Sequence, residues 1–81
     1  MKIFKYSILD NVPTYLPQGY IELVYQIQND TLCLWALVDP MQEMVPVKFK
    51  ILGTGFEVPK GYIYKTTIQD GQYVWHLFIE P

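Results

Sequence analysis

Apolar residues in this chain recur in runs of five to nine. Some runs alternate with polar residues and others are apolar throughout, and Val, Ile, Tyr, Phe, Trp and Thr dominate them. Successive side chains of an extended strand point to opposite faces, and β-branched and aromatic residues fit that pleated surface best. The pattern predicts six strands, over residues 2–9, 20–28, 31–38, 46–52, 62–69 and 72–79. No segment repeats its apolar positions every 3.6 residues, so helix is limited to at most a short turn near Asp39 to Met44. The expected fold class is all-β.

Two junctions carry hairpin chemistry: Asn29-Asp30 between the second and third strands, and Asp70-Gly71 between the fifth and sixth. Both pairs tolerate the positive φ that tight primed turns require, so each pair of flanking strands is expected to be antiparallel. Pro13, Pro17, Pro40, Pro46 and Pro59 are assigned to the other connections, where a missing N–H does least harm.

An internal echo runs through the chain with a period of about 42 residues. Leu16-Pro17-Gln18-Gly19-Tyr20-Ile21 returns as Val58-Pro59-Lys60-Gly61-Tyr62-Ile63, and Ile27-Gln28-Asn29-Asp30 as Ile68-Gln69-Asp70-Gly71. Trp35 to Asp39 echoes Trp75 to Glu80, and Phe4-Lys5 echoes Phe49-Lys50. Read as duplication, residues 2–39 and 47–80 form two three-stranded units within a single domain, 1–81. A pseudo-two-fold axis would relate them in a small six-stranded antiparallel sandwich or half-open barrel. The alternatives are a six-stranded meander closing on itself and an echo that reflects only shared hairpin grammar.

Alternation also assigns faces. On the third predicted strand Cys33, Trp35 and Leu37 oppose Leu32, Leu34, Ala36 and Val38, and on the sixth Tyr73, Trp75, Leu77 and Ile79 oppose Val74, His76 and Phe78. Both strands are apolar on both sides, and one layer of core in so small a protein cannot cover two faces of a sheet. A homodimer, or another protein partner, is therefore expected to cover part of this surface.

Composition narrows the function. An apolar share of 51% in 81 residues is enough for one core and argues against disorder. No run of about 18 apolar residues suits a membrane span, and Met1-Lys2-Ile3-Phe4-Lys5 leads into Tyr6 and Ser7 instead of an apolar signal core. A single cysteine cannot form an internal disulfide, so the expected setting is a reducing cytoplasm without membrane contact. Six lysines, no arginine and a net charge of −2 argue against nucleic acid as a partner.

Catalytic chemistry finds little to work with. Cys33 and His76 are the only thiol and imidazole, and their predicted strand faces differ. One His with one Cys cannot build a structural zinc site, and no cofactor is expected. Gly53-Thr54-Gly55 follows a strand without a Gly-Lys-Ser/Thr continuation and is read as a turn. Asp39, Glu43, Glu57 and Asp70 fall in loops or at strand ends, with nothing to pair them. The chain is expected not to be an enzyme.

Binding requires only shape and anchors. Tyr20, Tyr62 and Tyr64 follow the two Pro-Gly turns, Met41 and Met44 lie in a proline-bounded loop, and His76 has a strand position. These six are the candidate binding residues, Tyr and Met because they supply large contact area with adaptable packing. An alternative is a sponge for a small nucleotide, with Tyr20 and Tyr62 stacking on a base and Lys60 or Lys65 meeting phosphate.

The strings CLWALVDP (Cys33 to Pro40), KFKILGTGFEVP (Lys48 to Pro59) and DGQYVWHLFIE (Asp70 to Glu80) resemble a family of short bacteriophage-encoded proteins of unknown function. The resemblance runs from about Pro17 onward and brings no catalytic residues with it. It implies an accessory phage product in the cytoplasm of an infected bacterium. By analogy of setting, such a product would inhibit a host or defence protein, in the manner of an anti-CRISPR or other anti-defence factor, or serve as a minor virion component.

Overall fold

Tight turns divide the chain into seven strands and no helix in the computed structural model, which describes residues 1–81. The strands are β1 (Lys2–Ser7), β2 (Pro13–Pro17), β3 (Ile21–Gln28), β4 (Thr31–Val38), β5 (Met44–Gly53), β6 (Ile63–Asp70) and β7 (Tyr73–Ile79). The expected count of six omits β2, whose end residues are the prolines that sequence reasoning placed in a connection. At the edge of a sheet a strand can lack N–H groups on its open side, so proline is tolerated there. Asp39 to Gln42 is a turn, closed by a Gln42 N–H donating to the Asp39 carbonyl at 3.0 Å, and Met44 already belongs to β5.

All pairings are antiparallel. They form a three-stranded sheet in the order β1-β4-β3 and a four-stranded sheet in the order β2-β5-β7-β6, and neither closes into a barrel. β5 is long enough to serve two neighbours, β2 along Met44 to Lys48 and β7 along Phe49 to Gly53. The core lies between the sheets. Leu32, Leu34, Ala36 and Val38 descend from β4 onto Leu16, Phe49 and Leu77 of the other sheet, with Ile8 beside them. Across this layer Tyr25 meets Phe49 edge to face, with ring centroids 6.4 Å apart.

Local chemistry sets the turns. Asn29 and Asp30 both have positive φ, as a type I′ hairpin requires. The second hairpin closes one residue later than its sequence predicts: Asp70 pairs with Tyr73, and Gly71-Gln72 form the turn. Only Gly71 has positive φ there, as in a type II′ turn. Pro17 to Tyr20 and Pro59 to Tyr62 are matching type II turns, each closed by a tyrosine N–H donating to the proline carbonyl, at 3.2 and 3.3 Å. Gly19 occupies the left-handed position with φ of 80° and nothing near its absent Cβ. Gly19→Ala is therefore expected to cost about 1 kcal/mol through backbone strain alone, read as a lowered urea midpoint with an unchanged m-value.

The internal repeat has an unexpected form. Both three-stranded units order their strands first-third-second, β1-β4-β3 and β5-β7-β6, and carry bulges at Leu23 and Lys65, 42 residues apart. The hairpin ladders superpose at that spacing, which makes Leu77 and not Trp75 the counterpart of Trp35 and Gln69 and not Ile68 that of Ile27, and the Phe4-Lys5 echo slips by one residue as well. Lys5 opposes Trp35 whereas Ile51 opposes Leu77, which makes Lys50 the counterpart of Phe4. The inward residues also differ in parity: the even residues of β4 face the core, whereas Leu77 and Trp75 of β7 face inward. An even spacing keeps equivalent side chains on equivalent faces of the two units, so the units stack with opposite faces inward. The expected pseudo-two-fold is not how they pack.

Candidate functional site

Turning the even residues of β4 inward sends its odd residues out, to a face that no other strand packs against. The register places Ile3, Leu37 and Ile21 in one row across β1, β4 and β3, and Lys5, Trp35 and Val24 in the next. Ile3, Ile21 and Val24 are exposed, Trp35 and Leu37 half-buried. Bulged Leu23 extends the apolar area. Cys33 belongs to this outer face yet is buried, its Sγ 3.4 Å from the Thr31 carbonyl. The Lys5 Nζ donates to Gln28 Oε1 at 2.7 Å, bridging β4 between the Trp35 and Thr31 rows, the interval that Cys33 occupies.

The opposite exterior, the outer face of the four-stranded sheet, is polar and aromatic. The His76 imidazole lies between two threonine hydroxyls, with Thr54 Oγ1 2.8 Å from Nε2 and Thr67 Oγ1 3.0 Å from Nδ1. Thr67 also shares a 2.7 Å hydrogen bond with the Tyr64 hydroxyl, and the Tyr64 ring stands edge-on to Phe78. A neutral imidazole donates from one nitrogen and accepts at the other, so its two threonine partners take opposite roles. Cys33 and His76 thus sit on opposite exteriors of the stacked sheets, and no carboxylate joins the His76 chain. The arrangement orders a surface, and it keeps the Cys33 thiol apart from the only imidazole.

A third feature is a cleft of about 410 Å³ between the sheets at the hairpin end. Ile27, Leu32, Ile51, Ile68 and Trp75 line it, with Asp10, Asp30 and Asp70 at its rim. Asp10 is committed to structure, its Oδ1 accepting from the Ile51 N–H at 2.8 Å. No group of three or more His, Cys, Asp or Glu side chains has a metal-binding arrangement.

Of the six residues singled out by sequence, only Tyr64 and His76 come together, through Thr67. Tyr20 is half-buried against the core, where burial first and the Glu22 carboxylate second push its hydroxyl above the ordinary tyrosine range. Tyr62 is half-buried after its own turn. Met41 is 90% exposed at the tip of the β4–β5 loop, and Met44 begins β5 opposite Pro17. Lys65 is held by Glu22 at 2.8 Å across the edges of the two sheets. Sequence reasoning did not select Ile3, Ile21, Val24, Trp35 and Leu37 as site residues. The signal was the apolar character of both sides of β4, but the sequence did not say which side lies bare.

A family model described as a domain of unknown function, DUF7352, matches residues 1–81. The chain belongs to the DUF7352 family. The match spans all seven strands. No curated protein and no solved structure matches the chain. No helix is long and apolar enough to cross a membrane.

Proposed function

We propose that this DUF7352 chain is a non-enzymatic protein-binding module, working as a homodimer, that engages its partner through the outer face of β1-β4-β3. The observation that carries the reading is the pair of apolar cross-strand rows, Ile3–Leu37–Ile21 and Trp35–Val24, in which Ile3, Ile21 and Val24 are exposed beside half-buried Trp35 and Leu37. Water-exposed apolar area of this continuity favours association, and a half-buried Trp flanked by aliphatic residues is the usual anchor of an interface. The face has one charge, Lys5, already engaged by Gln28, so the partner surface it fits is apolar and not strongly acidic.

The likeness to short phage proteins supports a setting for this activity: blocking a host or defence protein in the cytoplasm of an infected bacterium. The nucleotide-sponge reading has less support, because Lys65 is paired with Glu22 and the cleft at the hairpin end carries three carboxylates, Asp10, Asp30 and Asp70.

The test uses Ile21→Lys and Leu37→Lys, which alter the outer face without touching the core, beside Tyr64→Lys on the opposite exterior. Proteins captured from a bacterial lysate by the unmodified chain are purified and titrated against all four forms. The expected result is one partner whose affinity falls 10-fold or more for the two face variants and is unchanged for Tyr64→Lys. Equal binding by all four, or no partner reconstituted from purified components, overturns the reading.

A further inference from the structure

The outer face of one three-stranded sheet covers roughly 14 by 20 Å, about 300 Å², by ordinary strand spacing and rise. A stable interface uses about 800 Å² per partner, so one sheet is too small to hold a partner alone. Sheets grow at their edges, and this molecule has four edge strands: β1 and β3 in one sheet, β2 and β6 in the other. Three of them are blocked. β2 begins and ends in proline, β3 and β6 carry the bulges at Leu23 and Lys65, and the Glu22–Lys65 ion pair ties those two edges together. Along the second half of β5, Asn11 and Asp10 occupy the free side, through the Asn11 N–H to the Phe49 carbonyl and the Ile51 N–H to Asp10.

β1 has no such guard. It runs six residues in unbroken register, without proline or bulge, and all but Tyr6 are exposed. The Ile8 N–H donates to the Leu32 carbonyl at 2.8 Å in continuation of that register. Hydrogen-bonded pairs alternate along an antiparallel ladder, so Lys2, Phe4 and Tyr6 point their backbone groups at β4. Ile3, Lys5 and Ser7 point theirs outward, away from the sheet. None of these outward groups enters a backbone hydrogen bond outside the ladders.

We propose that β1 of one molecule pairs antiparallel with β1 of a second copy about a two-fold axis at Phe4, joining the two three-stranded sheets into one of six strands. This deepens the homodimer reading and rests on it. A two-fold perpendicular to the sheet keeps each face on its own side, so it must pass through a residue and not between two. Centred on Lys5, the pairing sets the two Lys5 ammonium groups opposite each other, which is unfavourable. Centred on Ile3, it leaves Tyr6 and Ser7 unmatched. Centred on Phe4, it pairs Lys2 to Tyr6 among themselves, sets Ser7 opposite Met1, and brings no lysine to face a lysine. Each Ile3 then exchanges two backbone hydrogen bonds with Lys5 of the second copy, each Lys2 lies beside a Tyr6 ring, and the Phe4 rings meet. Phe4 is 39% exposed and so free to make that contact. The union doubles the apolar outer face and brings it near the size that a partner needs.

Two variants test the pairing. Lys5→Pro removes an outward N–H that makes no bond to β4, so the monomer keeps its circular dichroism spectrum and melts cooperatively. Sedimentation is expected to find the unmodified chain dimeric and Lys5→Pro weakened 10-fold or more. Phe4→Cys in a Cys33→Ser background is expected to oxidise to a symmetric disulfide at least 10-fold faster than Lys5→Cys in the same background. A Lys5→Pro chain as dimeric as the unmodified one overturns the edge. Faster cross-linking by Lys5→Cys overturns the register, with the homodimer left standing. A strictly monomeric unmodified chain overturns this inference and the homodimer reading together, while capture of a partner by the apolar face remains a separate result.

Discussion

Phe49→Ala is expected to remove most of the stability of the fold, and Phe49→Leu little of it. Phe49 is 1% exposed and lies in β5 where pairing passes from β2 to β7, so its ring supports both halves of the four-stranded sheet. It also makes the edge-to-face contact with Tyr25 that joins this sheet to the other. Truncating a buried phenylalanine to alanine costs about 3 to 5 kcal/mol, lost transfer energy and a cavity together. A domain of this length has roughly 4 to 12 kcal/mol in total, so the loss is a large share. Leucine keeps most of the apolar volume and is expected to cost less than about 1.5 kcal/mol. Urea unfolding at 25 °C checks both. A loss below 1.5 kcal/mol for alanine would mean that the sheets do not pack through this ring.

The strand pattern was legible in the sequence because alternation and turn chemistry are local. Asn29-Asp30 formed the turn expected of it, and β4 and β7 lie within a residue of their predicted limits. β2 was not legible, because Pro13 and Pro17 signal a connection in any local reading. Only pairing with β5 and an unpaired outer edge make such a short proline-bounded segment a strand. The turn at Gly71 shifted for a similar reason: Asp70-Gly71 suits one primed turn and Gly71-Gln72 another, and the register against β7 decides between them.

Stacking was beyond the sequence altogether. The echo at 42 residues is real as topology and bulge position, yet it is silent about which face turns inward, since both faces of β4 are apolar enough to form a core. Small Ala36 and fully buried Leu34 and Val38 take the inside, and bulky Trp35 is left at the surface with Leu37. That choice separated Cys33 from His76 and laid bare the face that sequence reasoning had foreseen without locating. It also places Tyr64, the counterpart of Glu22, on the exterior, while Tyr20 and its counterpart Tyr62 are both half-buried.

Tyr25→Phe is expected to leave stability at pH 7 unchanged or raise it by about 1 kcal/mol, and to flatten its decline above pH 10. The Tyr25 hydroxyl is buried beside the Glu22 carboxylate without a well-formed hydrogen bond to it, so removing it discards a desolvated polar group at the cost of at most that weak contact and keeps the ring that meets Phe49. Burial, and then the neighbouring Glu22 carboxylate, push this hydroxyl far above its ordinary value of 10.0. The sign follows from proton counting. Below pH 10 folded and unfolded chains both hold the proton and the group adds no pH dependence. Above pH 10 the unfolded chain releases a proton that the folded chain retains, so stability falls by about 1.4 kcal/mol for each further pH unit until the folded group also ionises. Tyr6 and Tyr20 are raised by burial too and act in the same direction. The difference between unmodified protein and variant reports on Tyr25 together with its coupling to Glu22. Urea unfolding at pH 7 and at pH 11 measures that difference. Equal alkaline decline in the two chains, or a loss above 1 kcal/mol at pH 7, would place the Tyr25 hydroxyl in contact with water or with a partner and not in the layer between the sheets.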